Sequence, residues 1–166
     1  MKIGILTLPQ ETNYGGILQA FAMQRTLRDM GHDAITIDRH QRKEYPSLKV
    51  HIAGYCKRLF QHYVQRKRKV SVKWNPFISE QDYKAISAKT QAFINRNMNM
   101  THWVYTDQLS EIDCEYLFDA YVVGSDQVWR PQYNPNLRDM YLAFTAGWNV
   151  RRIAYAASFG TDEWEL

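Results

Sequence analysis

The sequence KIGILTLPQETNYGGILQAFAMQRTLRDMGHDAITID, residues 2–38, combines two strand patterns with one helix pattern. Residues 2–8 form an apolar run that ends at Pro9, which is typical of a strand buried on both faces. Residues 34–38 form a second short run of the same kind. Between the two runs, apolar side chains recur every three or four positions, as in a half-buried helix: Ile17, Ala20, Met23, Leu27 and Met30. Gly31 follows at the place where a left-handed residue commonly ends a helix.

A strand, a helix and a strand in this order form a βαβ unit, whose crossover joins parallel neighbours. The sequence therefore predicts an α/β fold, with a Rossmann-like parallel sheet and flanking helices. Further along the chain we predict a loop over 39–48, a turn at Asn75-Pro76 and a loop over 130–139. The other elements predicted from spacing are helices over 51–70 and 80–97, a helix start at 106–112, and strands over 120–123 and 153–158.

Two of these helices have a predicted apolar face. In the first, the inward positions are Ile52, Tyr55, Leu59, Phe60, Tyr63 and Val64. In the second, they are Tyr83, Ile86, Phe93 and Ile94. The first helix also carries many basic residues, so the pattern predicts a basic amphipathic helix within the segment 42–70.

The positive charge of the chain is concentrated in that segment. The net charge is +4 and the isoelectric point is near 9.0, but nine of the 21 Lys and Arg residues lie between Arg42 and Lys69, against one acid. The rest of the chain therefore carries 12 basic and 16 acidic residues, a net charge of −4. We therefore expect no nucleic-acid partner, because the basicity belongs to one segment and not to the fold.

Composition excludes several other classes of protein. With 45% hydrophobic and 14% aromatic residues, the 166-residue chain is unlike a disordered segment and has the size of a single domain. Two cysteines, Cys56 and Cys114, are too few and too isolated for a disulfide framework. No apolar run reaches the roughly 20 residues of a membrane helix, and residues 1–8 lack the features of a signal peptide. We expect a cytoplasmic protein.

Three predicted strands are followed by polar or glycine-rich clusters, at 13–16, 124–127 and 158–160. In open α/β sheets, ligands bind outside the carboxyl ends of the strands, so the clusters predict one binding site. Each cluster also has a structural interpretation. Gly15 and Gly16 either allow a tight turn into the helix or expose amides to an anion, and Ser125 or Asp126 could cap a helical turn. Trp129 is either a core residue or a platform for a sugar, and 158–160 could simply end a strand.

Several common catalytic motifs are absent from the sequence. The eight glycines form neither a dinucleotide-binding fingerprint nor a phosphate-binding loop. The five histidines have no metal-site spacing, and no nucleophile elbow of a serine hydrolase is present. We expect neither a metal nor a cofactor.

Three blocks of this sequence resemble the polysaccharide pyruvyl transferase family. They are NYGGILQA at 13–20, DAYVVGSDQVW at 119–129 and IAYAASFG at 153–160, in the family's order and spacing. The middle block is the specific one. Arg130 departs from the pattern, because the family often has Asn there.

The resemblance implies an enzyme that moves the enolpyruvyl unit of phosphoenolpyruvate onto hydroxyls of a cell-surface polysaccharide or its lipid-linked precursor. The product is a pyruvate ketal. Family members resemble the two-domain GT-B fold and are longer than 166 residues, so we expect residues 1–166 to hold most of the first domain and to be inactive alone. The Arg and His residues that bind phosphoenolpyruvate in the family lie mainly in the second half.

The resemblance and the cluster positions together give the predicted site. We expect Asp126 and Gln127 to orient or deprotonate the acceptor hydroxyl, and the amides near Gly15 and Gly16 to face an anionic group. The full predicted substrate-binding set is Asn13, Gly15, Gly16, Gln19, Gly124, Ser125, Trp129, Ser158 and Gly160.

Two alternatives remain open at the level of sequence. One is a GT-B glycosyltransferase that uses a nucleotide sugar, because a fold does not determine its chemistry. The other is a non-catalytic binding module that acts through the basic segment 42–70. In an enzyme, the same segment could hold the protein at the inner face of an anionic membrane.

Overall fold

The computed structural model describes residues 1–40, 48–66, 80–134 and 136–163. The chain divides into two compact units, one formed by residues 1–42 and 87–166 and the other by residues 43–86. The predicted Asn75-Pro76 turn lies outside the described residues, as does most of the predicted loop 39–48.

The described part of the chain contains six strands and five α-helices. The strands are β1 (Lys2–Leu6), β2 (Asp33–Thr36), β3 (Arg39–His40), β4 (Val104–Tyr105), β5 (Ala120–Asp126) and β6 (Arg151–Ala157). The α-helices are α1 (Tyr14–Asp29), α2 (Leu48–Leu59), α3 (Glu80–Asn97), α4 (Glu111–Tyr116) and α5 (Leu137–Met140). A π-helical turn covers Phe60–Val64, and 3-10 turns cover Thr106–Gln108 and Ala143–Thr145.

The first unit contains a four-stranded sheet in the order β2-β1-β5-β6, in which every pair is parallel. Ile3 pairs with Ala34 of β2 and with Ala120 of β5. A separate parallel pair joins β3 to β4. The predicted α/β fold with a parallel sheet and flanking helices is confirmed, whereas the two-domain GT-B arrangement remains a prediction.

Both faces of the central strands are buried, as the apolar run of β1 predicts. On one face, Ile3, Ile5 and Val122 pack with Met23 of α1. On the other face, the buried residues of one larger cluster include Leu6, Tyr121, Val123, Ile112 of α4 and Met140 of α5. Each aliphatic side chain removed from water in this way contributes roughly 1.5–3 kcal/mol.

Two residues predicted to face the core, one after α1 and one in α3, are exposed, so these predictions are wrong. Met30 is 66% exposed, because α1 ends at Asp29 and Met30 only caps it, while Gly31 takes the predicted left-handed conformation with φ +86°. Ile86 is also exposed, and the buried face of α3 includes the polar residues Ser87 and Thr90. Thr90 is buried because its hydroxyl donates to the carbonyl of Glu11 at 2.9 Å.

Several predicted boundaries are also wrong. Within the predicted helix start at 106–112, only Thr106–Gln108 form a 3-10 turn, and α4 begins at Glu111. Strand β5 continues past Val123 to Asp126, because β6 pairs with it as far as the Asp126–Ala157 pair. Strand β6 begins at Arg151, two residues before the predicted start. The predicted loop 130–139 contains the start of the short helix α5.

The second unit contains a helix where the basic helix is predicted over 51–70. Helix α2 and the π-helical turn cover 48–64, so the helix begins three residues before the predicted start and has ended by Gln65. Its predicted inward face is wrong at four positions, because Ile52, Phe60, Tyr63 and Val64 are exposed. The physical reason is that a helix buries an apolar face only against another layer of structure. No helix in the described ranges is both long and apolar enough to cross a membrane.

Candidate functional site at the carboxyl edge of the sheet

The chain leaves β1 and β5 in opposite directions across the sheet. Strand β1 leads through α1 to β2 on one side, whereas β5 leads to β6 on the other. The carboxyl ends of β1 and β5 therefore flank a topological switch point, which is where open α/β sheets bind ligands. The predicted clusters at 13–16 and 124–127 follow or end these two strands.

The clusters that follow β5 and β6 come together. The Ser158 amide donates to the Asp126 carbonyl at 2.9 Å, and the Trp129 amide donates to the Ser158 carbonyl at 3.1 Å. A Cβ atom added to Gly160 would collide with the Gln127 side chain. Residues 124–129 and 158–160 thus form one continuous surface, as the sequence predicts for these two clusters.

Asp126 and Gln127 present complementary polar groups on this surface. Both side chains are half-buried. In the described parts of the chain, nothing hydrogen-bonds or ion-pairs with the Asp126 carboxylate, which can therefore accept from a ligand. Gln127 Oε1 accepts from Arg130 Nη1 at 2.8 Å, and across the same ranges Gln127 Nε2 has no acceptor. An open acceptor thus lies beside an open donor.

Backbone geometry explains why glycine precedes this pair. Gly124 has φ +133°, and a Cβ atom there would collide with the carbonyl oxygen of Tyr155 on β6. Only glycine lets β5 and β6 approach each other at that point. Ser125 is half-buried, and the Ser158 hydroxyl donates to the Asp126 carbonyl at 3.3 Å.

Trp129 packs mainly as a structural residue. Its indole nitrogen donates to the Met140 carbonyl at 3.0 Å. Its ring stacks on Tyr141 with centroids 5.6 Å apart and also contacts Phe159 at 5.7 Å. Since these contacts attach the ring to the edge of the core, they agree with its interpretation as a core residue. Its role as a sugar platform stays a prediction.

The cluster after β1 caps a helix. Asn13 Oδ1 accepts from the amides of Gly15 and Gly16 at 3.1 and 3.3 Å, which begins α1. An anion at these amides would have to displace the Asn13 side chain. Gln19 is exposed on α1. Within the described ranges, no hydrogen bond or ring contact joins this cluster to 124–129, although both lie at the same edge of the sheet.

Arg130 belongs to the site although the sequence leaves its role open. Besides donating to Gln127, its guanidinium lies 5.0 Å from the centre of the Tyr133 ring. It therefore places a positive charge next to the Asp126-Gln127 pair. The sequence could have indicated this role, because Arg130 directly follows the most specific motif, 119–129.

A buried polar network supports the same loop and has no signal in the sequence. Arg39, which is 2% exposed, donates through Nη2 to Asn134 Oδ1 at 2.6 Å, and Asn134 Nδ2 donates to the Val128 carbonyl at 2.7 Å. Arg39 Nη1 also lies 3.8 Å from Asp139 Oδ2. Burial lowers the pKa of Arg39 to about 10, against the opposing effect of Asp139. Burial likewise raises the pKa of Asp139, against the opposing effect of Arg39.

The described residues also bear on whether this part of the protein could hold a metal ion. Across the ranges that the structure describes, no three His, Cys, Asp or Glu side chains are placed to hold a metal ion. The site as described consists of hydrogen-bonding groups, one open carboxylate and one guanidinium.

Fold and site together define a doubly wound α/β protein whose candidate site lies at the topological switch point of a parallel sheet. The chain belongs to the polysaccharide pyruvyl transferase family, because the model of that family matches residues 13–165. This is a family of transferases, so at the family level the protein is an enzyme of polysaccharide pyruvylation.

Other comparisons add little to the family assignment. No curated protein matches the sequence significantly. Among solved structures, a protein of the universal stress protein family from Burkholderia pseudomallei aligns over 92% of this chain and 96% of its own, at 10% identity and a TM-score of 0.41. A likeness at that level has no bearing on function.

Proposed function

We propose that the protein transfers the pyruvyl unit of phosphoenolpyruvate to two hydroxyls of a cell-surface polysaccharide or its lipid-linked precursor, forming a pyruvate ketal. Family membership supports the reaction class. The observation that supports the site is the open Asp126 carboxylate beside the open Gln127 amide nitrogen, at the switch point of the sheet.

The reaction needs an acid, a base and positive charge. One sugar hydroxyl adds to C2 of phosphoenolpyruvate while C3 takes up a proton and becomes a methyl group. The bond between C2 and the phosphate oxygen then breaks, phosphate leaves, and an oxocarbenium-like centre forms. A second hydroxyl attacks that centre and loses its proton. Of the two hydroxyl protons released, one balances the proton taken up at C3 and the other leaves with phosphate.

The described residues fit part of this chemistry. Asp126 takes the proton of an attacking hydroxyl, and Gln127 Nε2 donates to the sugar to orient it. Arg130 and the amides of Gly15 and Gly16, if Asn13 moves aside, bind the anionic donor or a phosphate of a lipid-linked acceptor. The proton for C3 comes from a residue outside this set.

Neither alternative gains support from the comparisons. The matching family is one of pyruvyl transferases, which supports neither a nucleotide-sugar glycosyltransferase nor a non-catalytic module that acts through the basic segment. The exposed side chains of Phe60 and Tyr63 beside Lys57 fit a membrane contact of the enzyme.

A donor assay tests the proposal. The full-length enzyme is incubated with an acceptor glycan and either phosphoenolpyruvate labelled with ¹³C at C3 or a panel of nucleotide sugars. We expect release of inorganic phosphate and a labelled ketal methyl signal in the glycan only with phosphoenolpyruvate. Sugar transfer from a nucleotide donor, with no ketal signal, would contradict the proposal.

A further inference from the structure

A second concave surface lies beside the ends of β1 and β2, away from Asp126. It is a cavity of about 370 Å³, within the size range of small-molecule sites. Its walls come from the segment after β1, from β3 and its approach, from α3 and from the segment before β4, all within the first unit. The residues that matter for its chemistry are Gln10, Asp38, His40, Gln91, Asn95 and Trp103.

The polar groups of this pocket suit hydroxyls and not anions. His40 Nε2 donates to Asp38 Oδ1 at 2.7 Å, and His40 Nδ1 faces Glu11 Oε1 at 3.8 Å. The lining residues include no Lys or Arg. The carboxylate of Asp38 lines the pocket, and that of Glu11 lies near His40. A multiply charged anion such as phosphoenolpyruvate would be repelled, whereas a neutral polyol can donate to Asp38 and accept from the amides of Gln91 and Asn95.

Trp103 provides a flat apolar surface at the mouth of the pocket. It is 61% exposed, although tryptophan is usually buried for most of its area. Its ring is held edge-on by His40 at 4.8 Å and contacts Tyr105 at 5.6 Å, which fixes its orientation. In the described ranges its indole N–H has no acceptor. A sugar ring has an apolar face and hydroxyls around its rim. A rigid, exposed indole beside fixed polar groups can bind both, because the face stacks on the indole and the hydroxyls bond to the polar groups.

A third observation is an unsatisfied acceptor in the wall. Gln10 is buried and donates through Nε2 to the Leu8 carbonyl at 2.7 Å. Gln10 Oε1 is buried and receives no hydrogen bond from the described residues. A buried acceptor without a donor is unfavourable, and a ligand hydroxyl would supply the missing donor.

We propose that this pocket binds a neutral sugar ring of the acceptor glycan, stacked on Trp103 and hydrogen-bonded by Asp38, Gln91 and Gln10. The inference rests on the proposed function for the identity of the ligand. Strands β2, β1 and β5 are consecutive neighbours, so the pocket and Asp126 lie along the same carboxyl edge of the sheet. An oligosaccharide held at Trp103 can thus present a more distant sugar to Asp126, and the pocket selects the glycan without contacting the reacting atoms.

Sugar binding can be measured directly by nuclear magnetic resonance. The probes are the methyl pyranosides of glucose, galactose and mannose, and the readouts are saturation transfer to the sugar and the shift of the Trp103 indole signal, identified by its loss in Trp103→Phe. We expect at least one sugar to give a saturable shift. We also expect Trp103→Ala to abolish saturation transfer, and Asp38→Asn to weaken binding about tenfold.

Controls separate this site from non-specific contact. Tyr155→Ala removes an equally exposed aromatic ring, also 61% exposed, from β6 at the opposite side of the sheet, and we expect it to retain sugar binding. Inorganic phosphate and phosphoenolpyruvate should leave the Trp103 signal unchanged. The inference is overturned if none of the three sugars shifts that signal, if Trp103→Ala binds sugar as the wild type does, or if phosphate shifts it instead.

Kinetics keep this inference distinct from the proposed function. In the full-length enzyme, Trp103→Ala should raise KM for the glycan about tenfold while leaving KM for phosphoenolpyruvate and kcat unchanged. If ketal forms with an unchanged glycan KM, the pocket assignment fails and the proposed function stands. If sugars bind at Trp103 but phosphoenolpyruvate is never used, the proposed function fails and the pocket stands.

Discussion

Arg39 and Asp139 are buried close together although their hydrogen bonding is incomplete. In the described part of the chain, Arg39 Nε and Nη1 and Asp139 Oδ2 have no hydrogen-bond partner. Such a pair is held by its electrostatic attraction against the cost of removing both charges from water. Its location behind Val128 means that it fixes the position of the loop that follows Asp126.

Removing one partner of this pair should lower the free energy of unfolding more than removing both partners. Asp139→Ala leaves a buried, uncompensated guanidinium, so we expect a loss of roughly 3–5 kcal/mol in the free energy of unfolding. The double variant Arg39→Met/Asp139→Ala should lose less than Asp139→Ala alone. Urea denaturation of the wild type, both single variants and the double variant measures the coupling. Additive losses would show that the two groups do not interact.

The same carboxyl should make stability depend on pH. Because burial raises the pKa of Asp139 above its usual value of 3.8, the folded state holds this proton more tightly than the unfolded state. The resulting stabilisation is present below pH 3.8 and is lost as the pH rises through the folded pKa. Relative to Asp139→Asn, the wild type should therefore lose stability as the pH rises from about 4. Parallel curves for the two proteins would contradict this assignment.

At the scale of single elements, the start of α1 combines a structural and a predicted functional role in Asn13. Its side chain caps the helix through the amides of Gly15 and Gly16. Asn13→Ala should therefore lower the free energy of unfolding by about 1 kcal/mol, and Asn13→Ser, which preserves a capping oxygen, should lower it much less.

Asn13→Ser also separates capping from substrate binding. Since Asn13 is in the predicted substrate-binding set, we expect this variant to keep most of the stability of the wild type but to have a raised KM for one of the substrates. Steady-state kinetics on both substrates is the measurement. Wild-type KM values for both would limit Asn13 to its role as a helix cap.

The helix α2 and its π-helical turn combine exposed apolar groups with basic ones. Phe60 and Tyr63 are exposed in the same segment as Lys57, and the exposed Arg66 lies just after it. A helical segment of this kind binds anionic membrane surfaces, where each Lys or Arg contributes roughly 1 kcal/mol. We therefore expect the protein to float with phosphatidylcholine vesicles only when they contain phosphatidylserine.

Variants locate that contact. Lys57→Glu and Phe60→Ala/Tyr63→Ala should each reduce the fraction that floats, whereas Met30→Ala, which removes an exposed apolar side chain of the first unit, should not. Equal recovery of the wild type with neutral and anionic vesicles would reject a membrane contact.

For the whole molecule, the sequence predicts the sheet better than it predicts the side-chain networks. The apolar run at 2–8, the helix period from Ile17 and the β-type run before Asp38 are local patterns. They correctly predict two parallel strands joined by a helix, with β1 buried on both faces. The clusters after β5 and β6 also meet as predicted, because the carboxyl ends of neighbouring parallel strands lie at one edge.

What the sequence does not predict depends on contacts between distant segments. Arg39 lies in a predicted loop, and only its pairing with Asn134 and Asp139 makes its burial possible. Trp103 and His40 meet because β3 pairs with β4, and two-residue strands are too short to leave a periodic signal. The exposed face of α2 has the same period as a buried one, so hydrophobic spacing alone could not distinguish them.

The two edges of the sheet allow a matched test of where catalysis takes place. Asp126 ends β5 at the carboxyl edge of the sheet. Asp33 is an exposed aspartate at the amino edge, where β2 begins. Turnover of phosphoenolpyruvate and glycan by full-length Asp126→Ala and Asp33→Ala is compared after circular dichroism shows that both variants fold. We predict that Asp126→Ala lowers kcat at least about 100-fold, because it removes the base, and that Asp33→Ala retains wild-type turnover. An Asp126→Ala variant that turns over as fast as Asp33→Ala would contradict a catalytic site at the carboxyl edge of this sheet.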